Sequence, residues 1–307
     1  MAKVFVLHEN DAWSAPLFDA LAADGVPFEP WHLHEGCLDP RSQPPQGVFY
    51  NRMSASSHLR DHRYAPEWTR HVLRWLEAHG RRVVNDSRAL ALEVDKLAQY
   101  AALEACGIRT PRTVGAVGRE RTIEAAREFG RMPFILKPNR GGSGAGVVLI
   151  DNLDQLAAVL DDPGTAWPLD GTWLLQQYVC PEEPCITRAE FIGGEFLYAV
   201  RVDTSDGFEL CPADACALPS GREKFEIGET VEPTLIKLYT EFCARNGIEV
   251  AGIEFVRSPD GTIYTYDVNT NTNYNSRAEA AFGVRGMQRL ARFLGRELDL
   301  VRRQIAA

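Results

Sequence analysis

The sequence predicts an α/β (α+β) protein of three successive units, residues 1–88, 89–170 and 171–307. Three observations carry that expectation. The chain opens with an apolar run, Val4-Phe-Val-Leu7, then a helical stretch from about Pro16 to Ala23 stopping at Gly25, and a second short run from Phe28 to Trp31, the start of a βαβ unit. From Thr113 to Leu160, short strand-like runs alternate with amphipathic stretches. Beyond Trp173, strand-like runs follow one another directly, two of them joined by Gly193-Gly194, a pair that suits a primed hairpin turn because both residues accept positive φ.

In the first unit, the connector RSQPPQG leads to a strand over 47–51, and an amphipathic helix over 65–79 stops at Gly80 before a strand over 82–85. Asn85-Asp-Ser87 reads as an N-cap cluster for two helical stretches, the second from Asp95 to Cys106 with Gly107 as its stop. The second unit then takes a strand at Thr113, a helix over 122–129, a strand over 134–137, a glycine loop, a strand over 147–150 and a helix over 153–160. The third takes strands over 173–179, 186–192 and 195–202, a helix over 233–246, strands over 251–257 and 262–269 turned by Ser-Pro-Asp-Gly, and a closing helix from about Val284.

Composition narrows the function. Of 307 residues 45% are apolar and 24% charged, enough for one extended core or several smaller ones. Lys and Arg number 33 against 42 Asp and Glu, a formal charge of -9, which supplies no footprint for nucleic acid or an anionic membrane. No stretch approaches the roughly 20 apolar residues of a membrane span, and the N-terminus lacks the features of a cleaved signal. Seven scattered Cys point to reduced thiols and a cytoplasmic setting. The spaced pairs Cys180/Cys185 and Cys211/Cys216 read as small buried side chains rather than a metal site.

Several constellations carry chemistry. Lys137 ends a strand and is followed by Gly141, Gly142, Ser143, Gly144 and Gly146, a loop that serves equally as a flexible connector or as a phosphate cradle. Arg188 and Arg201 lie 13 positions apart on the two arms of the Gly-Gly hairpin, and facing arms bring such side chains onto one surface. Glu254 and Asp267 fall on paired strands. Asp267 and Asn269, two apart, point to one face, a set of hard oxygen donors suited to Mg²⁺. The row of amides after Asp267, in YTYDVNTNTNYN, is either a polar loop or more of the same site. Asn51 and Arg52, at a strand end before Ser54, Ser56 and Ser57, bind a carboxylate substrate or cap a turn. All seven His fall within residues 8–79; hydrogen-bonded or solvated rings are favoured over a second metal, because the spacing lacks a carboxylate partner.

Taken together in order, these motifs resemble the ATP-grasp superfamily and within it the RimK-type carboxylate–amine ligases, the branch of the α-L-glutamate ligases. The resemblance covers roughly residues 85–280: Asp95-Lys-Leu97, the helix ending Cys-Gly-Ile-Arg-Thr-Pro111, Phe-Ile-Leu-Lys-Pro138 with its glycine loop, Gln-Gln-Tyr-Val179, Thr-Arg188, Arg201, and Glu254, Asp267 and Asn269. It implies an ATP-grasp fold with a Rossmann-like N-terminal domain and two α+β subdomains clasping ATP. It also implies an ATP- and Mg²⁺-dependent (or Mn²⁺-dependent) ligase that joins a small-molecule or peptide carboxylate to an amine such as an amino acid through an acyl phosphate, releasing ADP and phosphate. By the same resemblance Lys96 and Lys137 hold the α- and β-phosphates and the loop Gly141 to Gly146, including Ser143, closes over them. Gln176, Gln177, Tyr178 and Val179 line the adenine site. Arg201 meets the γ-phosphate, Arg188 the acyl-phosphate or tetrahedral oxyanion, and Glu254, Asp267 and Asn269 bind the metal. Three departures stand out. Ile186-Thr-Arg188 replaces the usual Asp-Ile-Arg, leaving the ribose contact to Glu182 or Glu183; the two metal acids are exchanged in type; and Thr-Asn-Thr-Asn-Tyr-Asn replaces a small-residue-Pro-Gly turn, which places Asn271, Asn273 and Asn275 toward the γ-phosphate and the acceptor. A binding module without chemistry and a phosphotransferase are the alternatives, and homo-oligomerisation is left open.

Overall fold

The computed structural model of the chain describes residues 1–142, 144–181, 183–205 and 224–307. The first unit runs β1 (Lys3–His8), α1 (Asp11–Ala23), β2 (Phe28–His32), β3 (Gly47–Asn51), a 3-10 turn over Ser57–Arg60, α2 (Ala65–Ala78) and β4 (Arg82–Val84). The strands form a parallel sheet in the order β2-β1-β3-β4. Strand side chains alternate between faces, and β1 obeys this: Val4 and Val6 pack with Leu17 and Leu21 of α1, whereas Phe5 and Leu7 pack with Leu73 and Leu76 of α2. Helix α1 starts five residues before Pro16, because the Asn10 side chain caps it by accepting from the Trp13 backbone N–H at 3.1 Å. That cap fixes the start, and Pro16 is accommodated inside the helix at the cost of one backbone hydrogen bond.

The second unit holds α3 (Ser87–Glu93), α4 (Lys96–Ala105), β5 (Thr113–Val117), α5 (Arg119–Phe129), β6 (Phe134–Pro138), β7 (Val148–Ile150), α6 (Leu153–Asp161) and β8 (Thr172–Gln177). Its antiparallel sheet has the order β5-β8-β6-β7. One face, with Phe134, Leu136, Trp173 and Leu175, packs on Ala126, Phe129, Leu156 and Leu160 of α5 and α6. The intervening residues Ile135, Lys137 and Gln176 line a cleft on the other face. Strand β8, expected in the third unit, is hydrogen-bonded between β5 and β6, so this sheet extends to residue 177.

The third unit contains β9 (Cys185–Ile192), β10 (Glu195–Asp203), β11 (Phe225–Ile227), α7 (Pro233–Arg245), β12 (Val250–Arg257), β13 (Ile263–Asn269), α8 (Ser276–Phe282) and α9 (Gly286–Ala306). The sheet order is β11-β10-β9-β12-β13, antiparallel throughout. Ala189, Phe191, Ile253 and Phe255 pack on Tyr239, Phe242 and Cys243 of α7, leaving the opposite face of β9 and β12 for the cleft. Helix α9 buries Leu290, Leu294 and Leu298 in one core with Val4, Val6 and Val48 of the first sheet. The last helix thus covers the sheet that the first residues begin. Among the described residues no helix is long and apolar enough to cross a membrane.

One amide joins the first unit to the third. Asn85, fully buried and in the left-handed region at φ 56°, donates from Nδ2 to the carbonyls of Val250 and Thr270, both at 2.8 Å. Its Oδ1 accepts from the backbone N–H groups of Glu249 and Val250 at 2.8 and 3.0 Å. The side chain therefore behaves as an extra peptide unit across the junction, and Asn is among the few non-glycine residues that tolerate this backbone conformation. Replacing it leaves buried backbone groups without partners, at about 1–3 kcal/mol each before relaxation. Asn85→Ala is expected to lower unfolding stability by about 3 kcal/mol in urea titration. Asn85→Gly relieves only the backbone strain and is expected to recover less than about 1 kcal/mol of that.

Candidate active site

The floor of the cleft is a single cross-strand row. Arg188 of β9 pairs with Glu254 of β12, which pairs on its other side with Asp267 of β13. The next row is Glu190, Gly252 and Asn269. Directly opposed residues in antiparallel strands project to the same side, so all these side chains face one way. The absence of a side chain at Gly252 makes a cradle: a Cβ there would lie 2.3–2.5 Å from the Arg188 guanidinium. Arg188 fills that space. It donates from Nη1 to Glu254 Oε1 at 2.7 Å, from Nε to Glu190 Oε1 at 2.6 Å and from Nη2 to the Thr272 hydroxyl at 2.7 Å. The Thr272 hydroxyl in turn donates to Glu190 Oε2 at 2.9 Å.

A second cation comes from α4. Asp95 caps the helix through the Ala98 N–H, and Asn139 Oδ1 accepts from the Leu97 N–H at 2.8 Å, fixing the helix start against the end of β6. One turn on, Gln99 donates to the Val268 carbonyl and accepts from the Val268 N–H, both at 2.8 Å, and the Tyr100 hydroxyl donates to the Tyr266 carbonyl at 2.9 Å. Lys96 shares their helix face. Its ammonium therefore arrives at Asp267, with which it forms a buried ion pair. Burial pushes the Asp267 carboxyl up, but the Lys96 ammonium beside it more than offsets this and holds it below the usual range. Glu254 is raised by burial, with Arg188 opposing the shift. The donor set suits a small hard cation: two carboxylates on one row and the Asn269 amide, whose Nδ2 stands 3.4 Å from Glu254 Oε1, all open to the cleft.

The opposite wall belongs to the second sheet. Lys137 Nζ donates to the Tyr100 hydroxyl at 2.8 Å and to Gln176 Oε1 at 2.9 Å. Gly141, Gly142 and Gly144 follow along the rim, and Ile135, Val147, Ile186, Val256 and Tyr266 give the cleft an apolar interior. The loop is anchored at its stem, where Arg140 pairs with Glu67 of α2 and donates to the Arg63 carbonyl. The cavity measures about 300 Å³, within the range of a small-molecule site.

The structure brings Lys96, Lys137, Gly141, Gly142, Gly144, Gln176, Gln177, Tyr178, Val179, Arg188, Glu254, Asp267, Asn269, Asn271 and Asn273 to this one cleft. Others fall elsewhere. Arg201 does not share a surface with Arg188: Arg188 opposes Val200, and Arg201 opposes Thr187. The cause is a bulge between Phe196 and Tyr198, since one extra residue moves every later side chain to the other face. Arg201 instead pairs with Glu183 at 2.6 Å, and neither lines the cleft. Asn51 is a backbone tie, donating to the Asn85 carbonyl at 3.1 Å and accepting from the Met53 N–H at 3.0 Å. Arg52 lies behind the wall, donating to the Trp13 carbonyl and to Asn273 Oδ1 at 2.8 Å. Asn275 caps α8. Gly146, at φ 73°, packs on Pro138 beside the lining, and Ser143 and Glu182 lie outside the described residues.

Sequence reasoning passed over Glu93, which ends α3. It accepts from the Thr270 N–H at 2.7 Å and the Ala55 N–H at 3.3 Å, lines the cleft, and is pushed up to about 7 by burial. Glu190 and Thr272, which hold Arg188, were missed as well, although Glu190 sits two residues from Arg188 on the same strand face.

Residues 93–292 match the family model of the RimK-like ATP-grasp domain. A probable α-L-glutamate ligase of Xanthomonas oryzae pv. oryzae is 27% identical over 197 residues, 62% of either chain. A probable α-L-glutamate ligase of Stenotrophomonas maltophilia is 24% identical over 217 residues, 69% of either chain. The chain thus spans about 62% of the length of the first of these curated relatives. A RimK domain ATP-grasp protein from Sphaerobacter thermophilus superposes with a TM-score of 0.66 at 20% identity, over 94% of this chain and 99% of that one. The ATP-grasp ligase PsnB, complexed with a minimal precursor, superposes at 0.69 with 18% identity, over 95% and 98%. Those likenesses give the fold. With its family model matched over 200 of 307 residues, the chain belongs to the RimK-like ATP-grasp domain family.

Proposed function

We propose that the cleft binds ATP with Mg²⁺ or Mn²⁺ and joins a carboxylate to an amine, with release of ADP and phosphate. The observation that carries this reading is the convergence, in one cavity, of Lys96 and Lys137 with the Glu254, Asp267 and Asn269 donors beneath a glycine-rich rim. Two carboxylates paired with fixed cations, in a cleft with a glycine-rich rim, suit a metal-bound polyphosphate. The names of the α-L-glutamate ligase relatives support an amino acid as the amine.

The chemistry divides among residues as follows. Glu254, Asp267 and Asn269 would hold the metal, which when bound supplies charge neutralisation for the transferring phosphoryl group. Lys137, held by Tyr100 and Gln176, and Lys96 present ammonium groups to the α- and β-phosphates. The apolar interior formed by Ile135, Val256 and Tyr266 receives the base. A substrate carboxylate oxygen bonds to the γ-phosphorus as the bond to the ADP oxygen breaks; the amine nitrogen then bonds to the acyl carbon as phosphate leaves with the electron pair. No protein nucleophile takes part, and positioning and charge carry the rate. Arg188 uses three of its five N–H groups within the floor, leaving two for a developing oxyanion. Asn271 Oδ1, buried without a partner and on the cleft lining, is an acceptor available to the incoming amine. The chain works as three units around this cleft, with the second extended to residue 177 to keep β8 in its sheet.

Incubation with ATP, Mg²⁺, an amino-acid pool and a panel of carboxylic acids should give ADP, phosphate and an amide product by mass spectrometry. Lys137→Ala and Asp267→Ala should each lower turnover by about 10²-fold or more. ATP binding without ADP release would reveal a binding module, and a stable phosphorylated product a phosphotransferase. Arg201→Ala is expected to change turnover by less than about threefold, because its side chain faces away from the floor, whereas Gly252→Ala should cost about 10²-fold by displacing the Arg188 guanidinium. If Arg201→Ala were the inactive variant, the assignment of faces would be wrong.

A further inference from the structure

The carboxyl ends of β1 and β2 carry a group of histidines that the cleft does not use. His8 and His32 are direct partners in the parallel register, with ring centroids 5.2 Å apart. His34 lies 4.5 Å from His32, and His62 lies 5.4 and 5.0 Å from His32 and His34. His8 is 1% exposed, yet neither Nδ1 nor Nε2 has a hydrogen-bond partner. A buried imidazole left so asks for a ligand that meets it. The first residue of α1 supplies the anion: Asp11 Oδ1 is 3.8 Å from His8 Nδ1. One donor atom from each of His8, Asp11 and His32 lies within 4.8 Å of the other two.

We propose that His8, Asp11 and His32 form a binding site for a divalent transition cation of the zinc class, separate from the metal donors of the cleft. Two imidazoles and one carboxylate favour Zn²⁺, Co²⁺ or Ni²⁺ over the harder Mg²⁺, which prefers oxygen. Around a tetrahedral ion with bonds of about 2.0–2.1 Å, donors stand roughly 3.4 Å apart, so the three must draw together by about 1 Å. Asp11, whose side chain is 83% exposed, has the freedom to do so. His34 Nδ1 lies 2.6 Å from His32 Nδ1, which leaves His32 Nε2 as that ring's nitrogen for the ion. The neighbouring Glu9 is already committed, accepting from Arg60 and from His62 at 2.9 Å. That commitment leaves Asp11 as the charged ligand.

The place matters to the rest of the molecule. Arg60, paired with Glu9, stacks over the Trp13 ring at 4.5 Å, and Trp13 lines the cleft two residues beyond Asp11. An ion held here ties β1, β2 and the start of α1 together behind that wall.

The test uses the full chain without a polyhistidine tag, stripped with chelator and titrated with Zn²⁺ against a chromophoric competitor. One equivalent should bind, undisplaced by millimolar Mg²⁺, and Co²⁺ should give the intense visible absorption of a tetrahedral site. Asp11→Asn, on an exposed side chain, and His32→Ala should each weaken Zn²⁺ binding at least ten-fold, while His71→Ala, on α2 outside the group, should leave it unchanged. Circular dichroism establishes that each variant is folded. Absence of a bound equivalent, binding only at millimolar Zn²⁺, or equal affinity in Asp11→Asn and the parent chain would each overturn the assignment. Because the readout is metal binding and not turnover, it stands or falls apart from the ligase reading.

Discussion

Arg188 can lie on the floor of this protein only because its own charge is met by partners on every side. An unpaired ion away from water costs several kcal/mol, so a buried guanidinium requires its partners in place before it is tolerable. Glu190, Glu254 and Thr272 meet it from its own strand, the neighbouring strand and the segment beyond β13. Lys96 answers Asp267 in the same way. These five ionic groups leave an excess of one negative charge if all are ionised, three carboxylates against two cations. A floor so balanced is rigid and slightly anionic, suited to receiving a cation together with a polyanion rather than either alone.

The demand for pairing also explains why three sheets must meet at one place. Lys96 reaches Asp267 because α4, docked on β6 by Asn139, is fastened to β13 by Gln99 and Tyr100. Thr272 reaches Arg188 because the chain bends at Thr270 and Asn271, directly after β13. In that stretch Asn269, Asn271 and Asn273 turn toward the cleft while Thr270, Thr272 and Tyr274 are buried. The alternation of amide with hydroxyl or phenol keeps a period of two in the sequence, although the strand itself ends at Asn269. Asn85 then closes the junction from the first unit by bonding to Val250 and Thr270.

Local patterns in the sequence were enough to place most of the elements and much of the floor. Asp267 and Asn269 share a face because strands alternate, but Glu254 lies opposite Asp267 only through a bulge, since the register running from the Ser-Pro-Asp-Gly turn as far as Phe255–Thr265 would otherwise set it against Tyr266. What escaped was non-local. Strand β8 was visible, but its partners β5 and β6 are far away in sequence. The reading of Arg201 assumed a regular hairpin, and no glycine or proline announces the bulge that reverses its face. Asn51 stayed open between a ligand and a turn cap because one of its partners, the carbonyl of Asn85, is 34 residues on. Glu93 drew no notice because nothing local marks it, and the backbone N–H of Thr270 that holds it lies 177 residues on. The short α8 and β11 offered too few residues for either periodicity to show.

The return of α9 to the first sheet has a consequence for how the chain is made. Val4, Val6 and Val48 are synthesised well before the leucines that cover them, which begin at Leu290. At about 5–20 residues per second, the roughly 200 residues between β4 and α9 take on the order of 10–40 s to emerge. Through that interval the nascent sheet presents an uncovered valine-rich face with only α1 laid across it. Exposed apolar surface of that kind is what makes incomplete chains prone to associate, and here it persists until α9 has been made.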